Sequence, residues 1–260
     1  MNTFEKLTKS FFTLSSPLKS HSDYRADIDG LRAIAVALVV GFHAFPKYFP
    51  GGFIGVDIFF VISGYLISGI IFRQLREDRF SFFDFYIKRV NRIFPALITV
   101  LVISIFLGNI FLFTTEKISF NQSLTAAIAF VSNLFFYNES NYFDSIAETK
   151  PLLHLWSLGI EEQFYILWPI LLIFLWKKPL AKIWIVVSLI LVSMYINISL
   201  VNTNQAASFY LPFSRFWELL LGSGLAYLSI YNEQSILSRF SNKKIMLTRN
   251  IIAFSGMPLQ

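Results

Sequence analysis

The chain of 260 residues is 55% apolar, carries a formal charge of +6 and contains no cysteine. Its mean hydropathy of +0.59 is too high for a soluble domain and is typical of a protein that crosses a membrane several times. The missing cysteines exclude disulfide bonds and thiolate metal sites. Because the basic residues lie in loops between apolar runs, membrane topology explains them better than binding to nucleic acid.

The first 24 residues predict a cytosolic tail, since lysines interrupt the segment and its apolar part is too short for a signal peptide. Seven apolar runs follow, and an eighth begins near Ile251. Most of them approach the roughly 20 residues that a helix needs to cross a bilayer. They predict an all-α fold, a polytopic transmembrane helix bundle within residues 25–260. The seven runs are Leu31–Phe45, Phe53–Phe72, Phe94–Phe113, Ile118–Tyr137, His154–Trp176, Ile183–Val201 and Phe209–Ile230.

The distribution of lysine and arginine predicts the orientation of the bundle. The run Ile118–Tyr137 carries several amide and hydroxyl side chains, so we expect it to lie along the interface or to re-enter. Six spanning helices with a cytosolic N-terminus then place 18 basic residues inside and three outside, with Arg215 in the membrane. This bias follows the positive-inside rule.

Ionisable side chains on the predicted spans are the candidate site, because such groups are costly in lipid. Arg32 and His43 lie eleven residues apart on the first helix and share a face, with a rise of about 16 Å between them. Arg32 is expected at the cytosolic end and His43 in the outer half. Asp57 is expected one turn below the outer surface on the second helix, followed by Ser63.

The fifth run contains the densest polar pattern. His154, Ser157, Glu161 and Tyr165 are spaced by 3, 4 and 4 residues and form one stripe on a helix. The adjacent carboxylates of Glu161 and Glu162 suit groups that take and give protons. On the predicted topology these residues converge in the outer half of the membrane.

Two further features have both a functional and a structural explanation. Arg89 and Arg92 lead from a cytosolic loop into the third helix, and a planar guanidinium suits phosphate, although every cytosolic loop is basic. Arg215 and Glu218 on the seventh run can neutralise each other as an i,i+3 pair. Asp57 could serve only as a helix cap. Three histidines without metal-ligand spacing do not predict a metal site.

Together these motifs resemble the membrane-bound acyltransferase-3 family, integral-membrane enzymes that O-acylate bacterial surface polysaccharides. The resemblance begins near residue 24 and is specific only in combination. The segments that carry it are Tyr24–Arg32 with the gap to His43, Gly51–Tyr65, Lys88–Pro95, His154–Tyr165, and Arg215–Glu218 with Gly222.

The resemblance implies transfer of an acyl group, in particular acetyl, from cytosolic acetyl-CoA to a hydroxyl of an extracytoplasmic glycan such as lipopolysaccharide O-antigen. It also implies a place in the bacterial inner membrane. The family analogy makes His43 catalytic, with Arg32 part of its motif, and assigns the CoA phosphates to Arg89 and Arg92. The residues that would line the reaction site are Asp57, Ser63, Glu161 and Glu162.

The residues of the first two motifs are most similar to those of the subgroup that carries an extracytoplasmic SGNH-type domain after the membrane part. At about 20 residues per span, the chain holds about six to seven helices, whereas the family's domain has roughly ten. We therefore expect a truncated form, or a partner that supplies the remaining helices or an SGNH-type domain. The alternatives are a transporter of a polar solute, since membrane acids and histidine also form proton relays, and an inactive remnant.

Overall fold

The computed structural model describes residues 25–142, 150–177 and 179–230, and all regular structure within these ranges is helical. This confirms the predicted all-α bundle. The predicted N-terminal tail and the apolar run from Ile251 lie outside the described residues. The helices are α1 (Ala26–Ala44), α2 (Ile54–Arg76), α3 (Phe82–Phe111), α4 (Thr114–Ile128), α5 (Ser132–Tyr142), α6 (Trp156–Trp176, preceded by the 3-10 turn Leu153–Leu155), α7 (Pro179–Val201), α8 (Gln205–Tyr210) and α9 (residues 212–230).

Four helical segments in the described part of the chain are long and apolar enough to cross a membrane. The other two predicted spans correspond to α1 and α9. Each has 19 residues and carries charged side chains, such as Arg32 on α1 and Glu218 on α9. The four apolar segments are Ile54–Arg76, Phe82–Phe111, Leu153–Trp176 and Ile183–Val201.

The run Ile118–Tyr137, which was not expected to span, is divided between α4 and α5. Phe130 lies between the two helices with a φ of 55°, a left-handed conformation that ends α4. The side chain of Gln163 on α6 fixes this break, because its amide donates to the carbonyl oxygen of Phe130 at 3.1 Å. With 15 and 11 residues, neither helix reaches the length of a span.

Helices α1 and α2 form an antiparallel hairpin whose register is set by two glycines. A Cβ on Gly55 would overlap the carbonyl oxygen of Ala35, and one on Gly52 would overlap that of Leu38. The two backbones can therefore approach closely only with glycine at these positions.

This register places the start of α1 in the middle of α2. Arg25, which precedes α1, donates to the hydroxyl of Tyr65 at 3.1 Å. Tyr65 lies eleven residues before the end of α2 at Arg76, a rise of about 16 Å. Arg32, one to two turns into α1, is farther still from that end. Arg32 therefore does not lie level with the Arg76 end of α2.

A second close approach joins α2 to α9. A Cβ on Gly64 would overlap the backbone of Leu219, and one on Gly222 would overlap that of Val61. Next to this crossing, Trp168 donates to the hydroxyl of Ser68 at 2.7 Å, which donates to Ser223 at 2.6 Å. The chain of hydrogen bonds ties α6 to the same crossing.

The core lies where α2, α6 and α9 meet. Phe60, Ile71, Ile160, Leu172 and Leu219 are fully buried there. By contrast, large apolar side chains on α3 and α7 remain exposed, as expected for surfaces that face lipid.

Candidate functional site

Glu161 on α6 is held by hydroxyl groups from two elements. Ser63 on α2 donates to its Oε2 at 3.1 Å, and Tyr165, one turn further along α6, donates to the same oxygen at 2.7 Å. Tyr165 is 1% exposed. Hydrogen bonds to an ionised acceptor are stronger than those between neutral groups, so the two donors fix the orientation of this carboxylate.

The neighbouring Glu162 pairs with an arginine from α3. The guanidinium Nη2 of Arg89 lies 3.2 Å from Glu162 Oε1, and the two side chains are 14% and 15% exposed. The guanidinium also lies over the ring of Tyr165, 3.9 Å from its centroid. Tyr86, one turn before Arg89, donates to the carbonyl oxygen of Tyr165 at 3.2 Å. We call Ser63, Arg89, Glu161, Glu162 and Tyr165 the acid cluster.

Arg32 on α1 forms an ion pair with Asp29 at 3.5 Å, and this contact is loose and half exposed. Side chains from α2, α3 and α6 meet at the adjacent carboxylates of Glu161 and Glu162. The sequence predicted one site built from four helices, whereas His43 and Asp57 lie outside this cluster.

The position of Arg89 differs from the prediction. Sequence analysis placed it in a cytosolic loop and the two glutamates in the outer half of the membrane, but Arg89 and Glu162 are in contact. The reason is an early start of α3, since Ser81 caps this helix by accepting from the backbone N–H of Asp84 at 3.3 Å. Arg89 therefore lies seven residues, about 10 Å, inside the helix.

His43 lies in the last turn of α1, close to the loop 45–53, and its side chain is exposed. Its Nδ1 is 3.0 Å from the carbonyl oxygen of Val39. Since a carbonyl only accepts, Nδ1 carries the proton in this hydrogen bond, and Nε2 of the neutral ring keeps its lone pair. His154, in the turn before α6, is within electrostatic range of His43.

The histidines and the acid cluster occupy two levels along α6. His154 precedes Glu161 by seven residues, a rise of about 10 Å. Between them, the hydroxyl of Ser157 donates to the carbonyl oxygen of His154 at 3.3 Å, which is a local helix bond. The predicted stripe on α6 is present, but its members do not form one contact network.

Asp57 belongs to a third group of charges. Arg215 Nη1 lies 3.1 Å from Asp57 Oδ1 and 2.9 Å from Glu218 Oε1, so one arginine joins α2 to α9. Glu218 is 1% exposed, and its Oε2 is buried without a hydrogen-bond partner among the described residues. The predicted Arg215–Glu218 pair is present, with Asp57 as a third member. Asp57 was expected to line the site of His43 and instead pairs with Arg215.

The end of the bundle at which α2 finishes and α3 starts, here called the basic end, carries most of the exposed cations that could meet an anionic donor. Arg92 is exposed one turn after Arg89, and within the described ranges no ion pair involves it. Arg73 and Arg76 occupy the last turn of α2. Arg79 pairs with Glu77, and this hydrogen bond lowers the pKa of that exposed carboxyl. Among the described residues no group of three or more histidine, aspartate or glutamate side chains could hold a metal.

Tyr86 was missed by the sequence analysis. It lies three residues before Arg89, on the same face of α3, and an aromatic residue at that spacing is the only signal the sequence offers. Asn133 was also missed: it is fully buried, donates to the carbonyl oxygen of Tyr210 at 3.1 Å and accepts from Gln163 at 2.8 Å.

An all-helical bundle with ionisable side chains gathered between its helices defines a polytopic membrane protein with an interior polar site. The sequence profile of the acyltransferase domain, that of the acyltransferase-3 family, matches residues 25–254. The chain therefore belongs to this family.

Relatives with curated records extend the comparison. The chain is 36% identical over 208 residues to an uncharacterized protein of Haemophilus influenzae, a match that covers 77% of this chain and 85% of the relative. It is 38% identical over 219 residues to the peptidoglycan O-acetyltransferase OatA of Listeria monocytogenes, covering 82% of this chain and 35% of the relative. For the O-acetyltransferase OatA of Staphylococcus aureus the identity is 35% over 240 residues, with 90% and 39% covered.

The chain thus spans just over a third of the length of the two O-acetyltransferases it matches. No solved structure matches it with statistical significance.

Proposed function

We propose that the chain catalyses O-acetylation of a cell-envelope glycan, with acetyl-CoA as the donor. The observation that most supports this proposal is the acid cluster, in which α3, the helix that begins at the basic end, supplies Arg89 to the buried glutamates on α6. Such a contact links a donor entrance to interior groups that handle protons. The family membership and the O-acetyltransferase relatives support the same reaction class.

His43 acts as the general base in this proposal. Its Nε2 takes the proton of an acceptor hydroxyl, the oxygen forms a bond to the thioester carbonyl carbon, and the carbon–sulfur bond breaks. The CoA thiolate then takes the proton from His43, so that free CoA leaves and the histidine is neutral again. An acyl-histidine intermediate is the alternative route, in which Nε2 attacks the thioester first.

Glu161 and Glu162 supply the carboxylates of the site. Asp57 was a candidate for the same role, but its pairing with Arg215 leaves the acid cluster as the better choice. Arg32, which lies on the same helix as His43, is proposed to belong to the motif of this histidine.

The excess of basic residues at the Arg76 end of α2 supports a cytosolic position for that end and an inner-membrane location. The donor phosphates are proposed to bind there, with Arg92 as a contact. The acceptor lies on the far side. The name of the Listeria relative points to peptidoglycan, whereas the wording of the sequence motifs pointed to lipopolysaccharide O-antigen, so both are tested.

The decisive experiment uses inner membranes from a bacterial strain without its own envelope O-acetyltransferases, with and without the chain. Radiolabelled acetyl-CoA is added with peptidoglycan strands, with lipopolysaccharide, or with neither. We expect label in one glycan only when the chain is present, and none for His43→Ala at equal membrane abundance. Lys47→Ala, an exposed change in the adjacent loop, is the matched control and should behave like the wild type.

Absence of transfer to either glycan, or normal transfer by His43→Ala, would overturn the proposal. Uptake of label into sealed vesicles without transfer would indicate a transporter instead.

A further inference from the structure

We infer that Arg89 is a positioning residue for the two glutamates of the acid cluster, and that Arg92 alone of this arginine pair contacts the donor phosphates. This inference rests on the proposed function and deepens it. It assigns different roles to two residues that the sequence alone does not distinguish, since both are arginines one turn apart at the start of the same helix.

Neighbouring side chains cover most of the Arg89 side chain. One face of the guanidinium lies against the ring of Tyr165 at 3.9 Å, and Nη2 donates to Glu162 at 3.2 Å. Its Nε is buried and, within the part of the chain that the structure describes, has no hydrogen-bond partner. With 14% of the side chain exposed and Nη2 already paired with Glu162, the guanidinium offers little open surface to a phosphate, and removing it would leave that carboxylate unpaired.

The same contacts explain what Arg89 does. Tyr165 is clamped between the Arg89 guanidinium on its ring and the Glu161 carboxylate on its hydroxyl. Tyr86, one turn before Arg89, holds the backbone carbonyl of Tyr165 from the same helix. Arg89 therefore acts on Glu162 directly, as its counter-ion, and on Glu161 through the orientation of Tyr165.

Arg92 has the opposite environment. Its side chain is exposed, and in the described part of the chain no salt bridge restrains it. A guanidinium in this setting is free to form a bidentate contact with phosphate, as Arg89 is not.

The two roles predict different kinetic effects for the same change of charge. Steady-state acetyl transfer is measured in membranes over a range of acetyl-CoA concentrations with saturating glycan, together with binding of labelled CoA. Arg89→Gln should lower kcat by about tenfold or more with the KM for acetyl-CoA and the Kd for CoA within about twofold of wild type. Arg92→Gln should raise both constants by about tenfold and leave kcat within about twofold.

Two more conservative variants test the inference in case Arg89→Gln does not fold. Arg89→Lys keeps a cation opposite Glu162 but loses the planar group over the ring, and Tyr165→Phe keeps the ring but loses the hydrogen bond to Glu161. Both should lower kcat without raising the KM for acetyl-CoA. Abundance in the membrane and thermal stability in detergent are compared for all four variants.

A raised KM or Kd with preserved kcat in either Arg89 variant would overturn the inference and return Arg89 to the donor site. Unchanged kcat in Tyr165→Phe would also contradict it. Absence of transfer by the wild-type chain would overturn the proposed function itself, and is thereby distinguished from a failure of this assignment.

Discussion

Tyr165 donates to Oε2 of Glu161 at 2.7 Å from one turn further along the same helix, and this intrahelical bond is the shortest contact in the acid cluster. The same oxygen also accepts from Ser63 on α2 at 3.1 Å. The carboxylate is therefore oriented by its own helix and by a neighbouring one, so its position depends on how α2 and α6 pack.

Loss of the donor from α2 should lower activity without unfolding the protein. Ser63→Ala removes one of the two hydrogen bonds on Glu161 Oε2, and a bond to an ionised acceptor corresponds to about a tenfold effect on rate when lost. We expect kcat for acetyl transfer to fall by about that factor. Ser199→Ala removes an exposed hydroxyl on α7 that donates to the carbonyl oxygen of Tyr195 in the same helix. Its activity should match the wild type, and an equal loss in both variants would contradict the role of Ser63.

The crossing of α2 and α9 should tolerate no side chain. Gly64→Ala places a methyl group against the backbone of Leu219, where no flexible atom can yield. Overpacking of this kind costs about 1–3 kcal/mol, and a clash with backbone lies at or above the upper end. We expect lower membrane abundance and a lower Tm in detergent for Gly64→Ala and for Gly222→Ala.

The control for this prediction is on the same helix as Gly222. Apart from its chain neighbours and the backbone of its own helix, a Cβ on Gly224 would meet no heavy atom of the described residues within 4 Å. Gly224→Ala should therefore leave the Tm unchanged or raise it slightly, because alanine favours helix more than glycine does. Equal Tm values for Gly64→Ala and Gly224→Ala would show that the two helices do not cross at this point.

The general architecture and the identity of most ionisable groups could be predicted from the sequence, but their partners could not. Spacing on a single helix places Glu161 and Tyr165, or Arg215 and Glu218, on one face, and both pairs are in contact. Contacts between helices depend on register, which the hydropathy pattern does not contain. The ion pair between Asp57 and Arg215 was therefore not predicted.

The positions of Arg89 and Arg32 along the bundle were not predicted, for a related reason. Apolar runs mark where a helix is hydrophobic, and α3 begins at Phe82, twelve residues before the run Phe94–Phe113. Arg89 therefore lies on a helix that reaches Glu162, and not in a loop. The level of Arg32 relative to α2 was likewise not predictable, because the glycine contacts of α2, and not the hydropathy of α1, set where α1 lies.

The three charged residues that join α2 to α9 are Asp57, Arg215 and Glu218. Loss of the cation should destabilise the protein more than loss of one anion. Arg215→Gln leaves Asp57 and the fully buried Glu218 without their shared cation. Breaking a buried pair by removing one partner costs about 3–5 kcal/mol, since a charge is left uncompensated. Glu218→Gln removes one of two carboxylates and leaves the ion pair of Arg215 with Asp57. We expect the Tm in detergent to fall much further for Arg215→Gln than for Glu218→Gln, and the reverse order would contradict a structural role for this arginine.

The break between α4 and α5 depends on one amide side chain of α6. Gln163 accepts from Asn133 and donates to its amide oxygen at 2.8 Å, while Asn133 is fully buried. Gln163→Leu removes the donor to the Asn133 amide oxygen and to the Phe130 carbonyl oxygen, at a cost of about 1–3 kcal/mol in the free energy of unfolding. Gln122→Leu makes the same substitution at an exposed position of α4 and should have little effect. We expect a lower Tm and increased protease cleavage near Phe130 for Gln163→Leu alone. If the two variants are equally stable, the turn at Phe130 is held by its own backbone and not by α6.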